Sequence, residues 1–284
     1  MRRLIVPGIP QNALRAAVRV ALDEDLGAGD PTSALLEGEA AAVLAARAPG
    51  VLAGLPAVEV TLAEVARRLD LPPAGFRPGL EDGQRVAAGG LLGHIHGPVR
   101  VVLAAERTLL NLLGHLSGVA TLTDAFVAEV EGTGAVIRDT RKTLPGLRQL
   151  AKYAVRAGGG QNHRMSLGDA LLVKDNHIRA AGGLAEAVAA ARKAGQGLPL
   201  EVEVETLEQV AAALEAGCGL LLLDNMALET MAAAVAMAAG RARTEASGGI
   251  TLASARAVAS TGVDFLAVGA LTHSAPALDI GLDW

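Results

Sequence analysis

Cysteine and aromatic side chains are almost absent from this chain of 284 residues, which has one Cys, one Trp, one Tyr and three Phe. A lone cysteine excludes an internal disulfide and any multi-cysteine metal centre, and Cys218 reads as a buried small residue. Five aromatics can hardly supply the stacking platforms of a nucleic-acid binder, and a net charge of −5 denies it a basic surface, so nucleic acid is disfavoured as a partner. Long apolar runs are missing as well. The stretches at 220–223 and 231–240 fall short of the roughly 20 residues that span a bilayer, and Pro7 and Pro10 interrupt the apolar run after Met1-Arg2-Arg3. No membrane partner and a cytoplasmic location are therefore expected. What the chain does have is 51% hydrophobic residues, enough for one large core or two modest ones.

Lysine is scarce too: only 4 of the 25 cations are Lys, so Lys142 and Lys174 stand out in a chain that otherwise writes Arg. The charge is unevenly spread. From Arg138 to Arg179 there are nine cations and three anions, a local net of +6 inside an acidic chain. Such an island suggests a confined anionic ligand.

Residues 11–26 carry Leu14, Val18, Ala21 and Leu22 at helical spacing. Short strands are expected near 41–45 and 51–53, a helix over 56–69, a Gly-rich β segment over 76–97 and a helical stretch over 99–130 that breaks near Gly118. This resembles a small α+β domain. From residue 135 the pattern turns regular, with short apolar strands at 135–138, 170–174, 200–205, 220–224, 244–247 and 265–269 and Ala-rich helical sequence between them. That alternation argues for parallel βαβ units, and the lack of a Gly-x-Gly-x-x-Gly fingerprint favours a barrel over a dinucleotide-binding sheet. In a barrel every strand's C-terminal end opens on one face, where catalytic residues gather. The ends here read Arg138-Asp139-Thr140-Arg141-Lys142, Lys174-Asp175-Asn176-His177, Glu203-Val204-Glu205, Asp224-Asn225, Ser247-Gly248-Gly249 and Val268-Gly269-Ala270.

The last two ends supply small residues where backbone N–H groups can approach a phosphate. Glu201, Glu203 and Glu205 alternate with Val202 and Val204 in a strand that should be buried on both faces, so the carboxylates need partners. They face either solvent on an edge strand or, together with Asp224, cations or a magnesium ion. His163 and His177 sit among cations, which favours anion contacts over zinc. Pro145 is expected in the first turn of a helix ended by Gly158-Gly159-Gly160, with Arg148, Lys152 and Arg156 on a solvated stripe. Arg141, Lys142, His163 and Arg164 lie in turns beside the mouth. Arg107, Asn111, Gly114 and Gly118 form a narrow polar and small stripe that either packs against a ligand or second subunit or reaches solvent.

The runs Thr140-Arg141-Lys142-Thr143-x-Pro145-Gly146-Leu147-Arg148, Gly158-Gly159-Gly160-x-Asn162-His163-Arg164, Lys174-Asp175-Asn176-His177, Glu201-x-Glu203-x-Glu205, Leu223-Asp224-Asn225 and Ser247-Gly248-Gly249 resemble the quinolinate phosphoribosyltransferase family. The likeness covers nearly the whole chain, from the Glu24–Thr32 stretch through Ala105–Asn111 to Val268–Thr272. The resemblance implies an α/β fold, with an N-terminal open α/β sandwich over 1–112, to which the tail 273–284 returns, and an incomplete parallel α/β barrel over 113–272. It implies a homodimer, with assembly beyond the dimer left open, in which Arg107 crosses the interface. Arg107, Arg141, His163, Arg164 and Lys174 would surround the two carboxylates of quinolinate. Lys142, Glu203 and Asp224 would face phosphoribosyl pyrophosphate, with Glu203 and Asp224 holding Mg2+ directly or through water. Thr140 would line the substrate site, and Ser247, Gly248, Gly249, Val268, Gly269 and Ala270 would hold the ribose phosphate. Lys142, Lys174, Glu203 and Asp224 are the catalytic candidates. The reaction implied is decarboxylating phosphoribosyl transfer to nicotinate mononucleotide, a step of NAD biosynthesis. A Schiff-base lyase built on Lys174 is the rival from another class.

Overall fold

The computed structural model describes residues 8–27, 29–195 and 197–284, so the reading of the stretch before Gly8 lies outside the described residues. The chain forms two compact units, one of Met1–Asp124, Thr143–Gly159 and Leu271–Trp284, the other of Ala125–Lys142 and Gly160–Ala270. The chain thus returns to the first unit twice, at Thr143–Gly159 and at Leu271–Trp284.

In the first unit, α1 (Gln11–Asp25) buries Leu14, Val18 and Leu22, an i, i+4, i+8 stripe. After β1 (Glu39–Ala46) and β2 (Gly50–Val51) comes α2 (Pro56–Leu69), where Pro at the first turn needs no intrahelical N–H partner and Asp70 ends the helix in the left-handed region at φ 53. β3 (Gly75–Pro78), β4 (Arg85–Val86) and β5 (Leu91–Pro98) follow. The antiparallel sheet runs β12-β1-β5-β3, where β12 (Ile280–Asp283) is the chain's last strand and Leu44 opposes Leu282. β1 and β5 alternate exposed and buried residues for much of their length, the signature of a sheet with one covered face.

The helix expected to break near Gly118 does not break: α3 runs unbroken over Val99–Glu129. Its glycines serve close packing instead. A Cβ on Gly118 would stand 2.0 Å from the Pro276 carbonyl oxygen, and the Leu278 N–H donates to the Gly114 carbonyl at 2.9 Å. The glycine half of the Arg107–Gly118 stripe therefore packs on this chain's own tail, while Arg107 and Asn111 are exposed. α4 (Arg148–Ala157) starts after Pro145 rather than on it, and Lys152 is 0% exposed, so the expected solvated stripe is wrong. The reason is that the helix is enclosed on nearly every side, with Leu150, Ala151, Tyr153, Ala154, Val155 and Ala157 also buried.

The second unit is a parallel six-stranded sheet in the order β6-β11-β10-β9-β8-β7: β6 (Val136–Arg138), β7 (Leu171–Val173), β8 (Leu200–Val204), β9 (Leu220–Asp224), β10 (Arg243–Ser247) and β11 (Phe265–Ala267). Between them lie α5 (Asp175–Ala181), α6 (Leu184–Gly195), α7 (Leu207–Glu215), α8 (Leu228–Ala238) and α9 (Leu252–Ala259), and α10 (Ala270–His273) follows the last strand. β6 and β7 are the two edges and do not pair, so the barrel is not closed. Among the described residues, no helix is long and apolar enough to cross a membrane.

Candidate active site

All six strands are parallel, so their C-terminal ends share one rim. The period-2 alternation of β8 buries Val202 and Val204 against one side and turns Glu201, Glu203 and Glu205 to the other. These carboxylates step outward from the barrel floor. Glu201 is buried, Glu203 is partly covered and Glu205 is exposed.

At the mouth, the Lys174 ammonium donates to Glu203 Oε2 at 2.5 Å, so β7 and β8 present a paired cation and carboxylate. Meeting a carboxylate in this way is unlike the apolar or cation-flanked pocket that activates a Schiff-base lysine. Lys174 is also the N-cap residue of α5, and its backbone N–H donates to His177 Nδ1 at 3.0 Å, which makes His177 a capping residue. Asp224 ends β9 opposite Ser247 of β10, and its Oδ2 accepts from Asn225 Nδ2 at 2.8 Å. Gly248 is demanded here: φ is +100, and a Cβ would stand 2.1 Å from Asn225 Oδ1. Gly249 follows at φ +57, and Val268 donates its N–H to the Arg138 carbonyl at 2.9 Å, with Gly269 and Ala270 next on the same rim.

After β6, Thr140 Oγ1 accepts the Lys142 N–H at 2.9 Å, and the exposed Lys142 follows half-buried Arg141. Arg164 is half-buried, and its Nη1 donates to the Ala170 carbonyl at 2.9 Å. Burial, and then the charge of nearby Arg141, push Arg164 below the usual guanidinium range. Two cations that crowd one another in a partly desolvated setting make a site that attracts anions.

His163 is oriented inward. Its Nδ1 accepts the Arg164 backbone N–H at 2.7 Å, so the proton sits on Nε2, which lies 2.8 Å from Glu201 Oε2. Its own N–H donates to Asp139 Oδ1 at 2.9 Å, and Asn162 Nδ2 donates to Oδ2 of the same buried carboxylate at 2.6 Å.

Below lies a cluster that the sequence reasoning passed over. Glu245 of β10 is fully buried, and its Oε2 accepts from Arg138 Nη1 at 2.5 Å. The Arg138 guanidinium lies 4.3 Å from the centre of the Phe265 ring, a cation–π contact. Burial, and then the Glu201 charge, raise the Glu245 carboxyl to about 7. Donor atoms of His163, Glu201 and Glu245 lie within 4.8 Å of one another. With Arg138 and the His163 Nε2–H already facing the carboxylates, the group reads as an ion-pair network. The available signal was charge inside buried strands: Arg138 follows the apolar Val136-Ile137 pair, and Glu245 stands between Thr244 and Ala246 in a strand flanked by other strands.

The structure thus brings Thr140, Arg141, Lys142, His163, Arg164, Lys174, Glu203, Asp224, Ser247, Gly248, Gly249, Val268, Gly269 and Ala270 into one unit, at or beside one rim. Arg107 belongs to the other unit, exposed on α3.

Residues 119–283 match the sequence model of the quinolinate phosphoribosyl transferase C-terminal domain, and residues 30–117 match that of its N-terminal domain. The chain is 48% identical over 281 residues to nicotinate-nucleotide pyrophosphorylase (carboxylating) of Mycobacterium leprae, covering 96% of this chain and 97% of that protein. It is 42% identical over 263 residues to the probable enzyme of the same name from Bacillus subtilis, with 92% and 89% covered. A solved structure of nicotinate-nucleotide pyrophosphorylase from Francisella tularensis superposes with a TM-score of 0.93 at 38% identity, covering 98% of each chain.

Proposed function

The chain belongs to the quinolinate phosphoribosyltransferase family, and from that premise we propose that the cation-lined rim of its open barrel is where phosphoribosyl pyrophosphate is joined to quinolinate. The enzyme is a decarboxylating pentosyltransferase, and its products are nicotinate mononucleotide, pyrophosphate and carbon dioxide, in NAD biosynthesis. The observation that carries the location is the crowding of Arg141 on half-buried Arg164, since adjacent planar guanidinium forks suit a dicarboxylate.

In this reading Arg141, Arg164 and Lys174 grip the two carboxylates, and His163 stands behind Arg164. Arg107 joins them from a second subunit of a homodimer. Lys142 meets the phosphates, and the Ser247-Gly248-Gly249 and Val268-Gly269-Ala270 turns receive the ribose 5-phosphate on their backbone N–H groups, with Thr140 at the edge. The location is the cytoplasm.

Glu203 and Asp224 offer only oxygen donors from neighbouring strands, and one Glu203 oxygen already accepts from Lys174. Such a pair fits Mg2+ that arrives with phosphate oxygens better than an ion caged by protein alone. When bound, the ion neutralises charge that builds on departing pyrophosphate.

The pyridine nitrogen attacks the anomeric carbon as the bond to pyrophosphate breaks. Glu203 and Asp224 offset positive charge on the sugar, and Lys142 stabilises the leaving group. The ring is then a pyridinium. When the carboxylate next to nitrogen leaves as carbon dioxide, the electron pair left on that carbon is stabilised by the adjacent cation, and a proton replaces the carbon dioxide. The protein therefore has to hold the dicarboxylate in register and needs no nucleophile. Arg141→Ala is expected to raise the quinolinate KM with a smaller change in kcat, whereas Glu203→Ala lowers kcat. Equal, trivial effects in steady-state kinetics of the two variants would refute the placement.

A further inference from the structure

Both ring nitrogens of His163 are committed to this chain's own groups, and the geometry allows one orientation only. Turning the ring over would put carbon atoms where Arg164 N–H and Glu201 Oε2 now find nitrogen, and both hydrogen bonds would be lost. The wall behind the ring is firm. Glu201 and Glu245 are 3% and 0% exposed, Glu245 Oε1 lies 3.9 Å from His163 Nε2, and the other Glu245 oxygen is held by Arg138 against Phe265. A continuous path runs from the barrel floor to the rim: Glu201 Oε2 to His163 Nε2 at 2.8 Å, His163 Nδ1 to the Arg164 N–H at 2.7 Å, and Arg164 Nη1 to the Ala170 carbonyl at 2.9 Å.

We propose that Glu201 is a positioning residue for the dicarboxylate substrate, acting through His163 to fix the backbone from which Arg164 extends. This rests on reading the rim as the quinolinate site. The need for such a hold follows from charge. Arg141 and Arg164 carry like charge close together, so a backbone already fixed beneath Arg164 spares part of the cost of bringing the two guanidiniums onto one substrate. Glu201 itself touches no substrate. Its contribution is preorganisation, and it bears on quinolinate rather than on phosphoribosyl pyrophosphate.

The test is steady-state kinetics of the full-length enzyme carrying Glu201→Gln or Glu201→Leu, with both substrates varied and folding checked by circular dichroism. Gln keeps an acceptor oxygen for the His163 Nε2–H, and its quinolinate KM is expected to stay within about threefold of wild type. Leu removes the acceptor, and its quinolinate KM is expected to rise about tenfold, the equivalent of one lost hydrogen bond, with the phosphoribosyl pyrophosphate KM unchanged. An unchanged quinolinate KM in folded Glu201→Leu, equal rises for both substrates, or equal damage from Gln and Leu overturns the proposal. Nitrogen-15 NMR of the wild-type imidazole decides the matter without a variant: the proton must sit on Nε2 with and without quinolinate, and a proton on Nδ1 refutes the arrangement. Wild-type enzyme inert toward quinolinate and phosphoribosyl pyrophosphate refutes the functional reading and the proposal together, whereas active wild type with an insensitive Leu variant refutes the proposal alone.

Discussion

Glu245→Gln should change how stability depends on pH, and the structure sets the size of the effect. Glu245 is fully buried beside a second carboxylate, Glu201, with Arg138 as its close cation. Burial and the Glu201 charge raise its carboxyl from 4.5 to about 7. Below pH 4.5 the carboxyl is protonated in both folded and unfolded chains. Between pH 4.5 and 7 the unfolded chain has released the proton while the folded chain keeps it, so rising pH favours unfolding. Each pH unit in that window is worth about 1.4 kcal/mol, which makes the total loss at most about 3–4 kcal/mol. Gln fits the same space, keeps an acceptor for Arg138 and cannot ionise. Urea denaturation at pH 5 and pH 8 should therefore show the variant gaining about 2–3 kcal/mol on wild type between the two. A difference between variant and wild type that does not move with pH would refute the reasoning.

Gly118→Ala forces a methyl group toward the Pro276 carbonyl oxygen, which would stand 2.0 Å away, and should cost about 2–3 kcal/mol, read as a lower thermal midpoint despite alanine's better helix propensity. Removing divalent cations with a chelator should abolish turnover, and Mg2+ should restore it; full activity in the chelator would contradict the role given to Glu203 and Asp224. Mixing Arg107→Ala with Arg141→Ala subunits, each nearly inactive alone, should recover about a quarter of wild-type activity after subunit exchange, because a mixed dimer holds one intact site. No recovery in demonstrably mixed dimers would place Arg107 in its own subunit's site or outside any site.

Elements whose cause is local could be read from the sequence. Residues 56–69 were legible as a helix because Pro56 marks the start and the apolar spacing continues to Leu69, and the six parallel strands because most are short apolar or alternating runs that recur between Ala-rich helical stretches. The Glu201-x-Glu203-x-Glu205 alternation announced that carboxylates needed partners, and Lys174 and His163 supply two of them. What escaped depends on groups far apart in the chain. Gly118 reads as a helix breaker until the tail at Pro276 is seen to require a missing side chain. Lys152 reads as solvated by its i, i+4 spacing, since nothing local tells that α4 is enclosed. The direction of the His163 ring follows from an amide one residue away and a carboxylate 38 residues away, and only the first is visible in a motif.

The most direct test of the central claim is a measurement of pyrophosphate and carbon dioxide released from phosphoribosyl pyrophosphate and Mg2+ with quinolinate or nicotinate as acceptor. The account predicts turnover with quinolinate alone and equal amounts of the two products. Turnover with nicotinate, or pyrophosphate released without carbon dioxide, would contradict it.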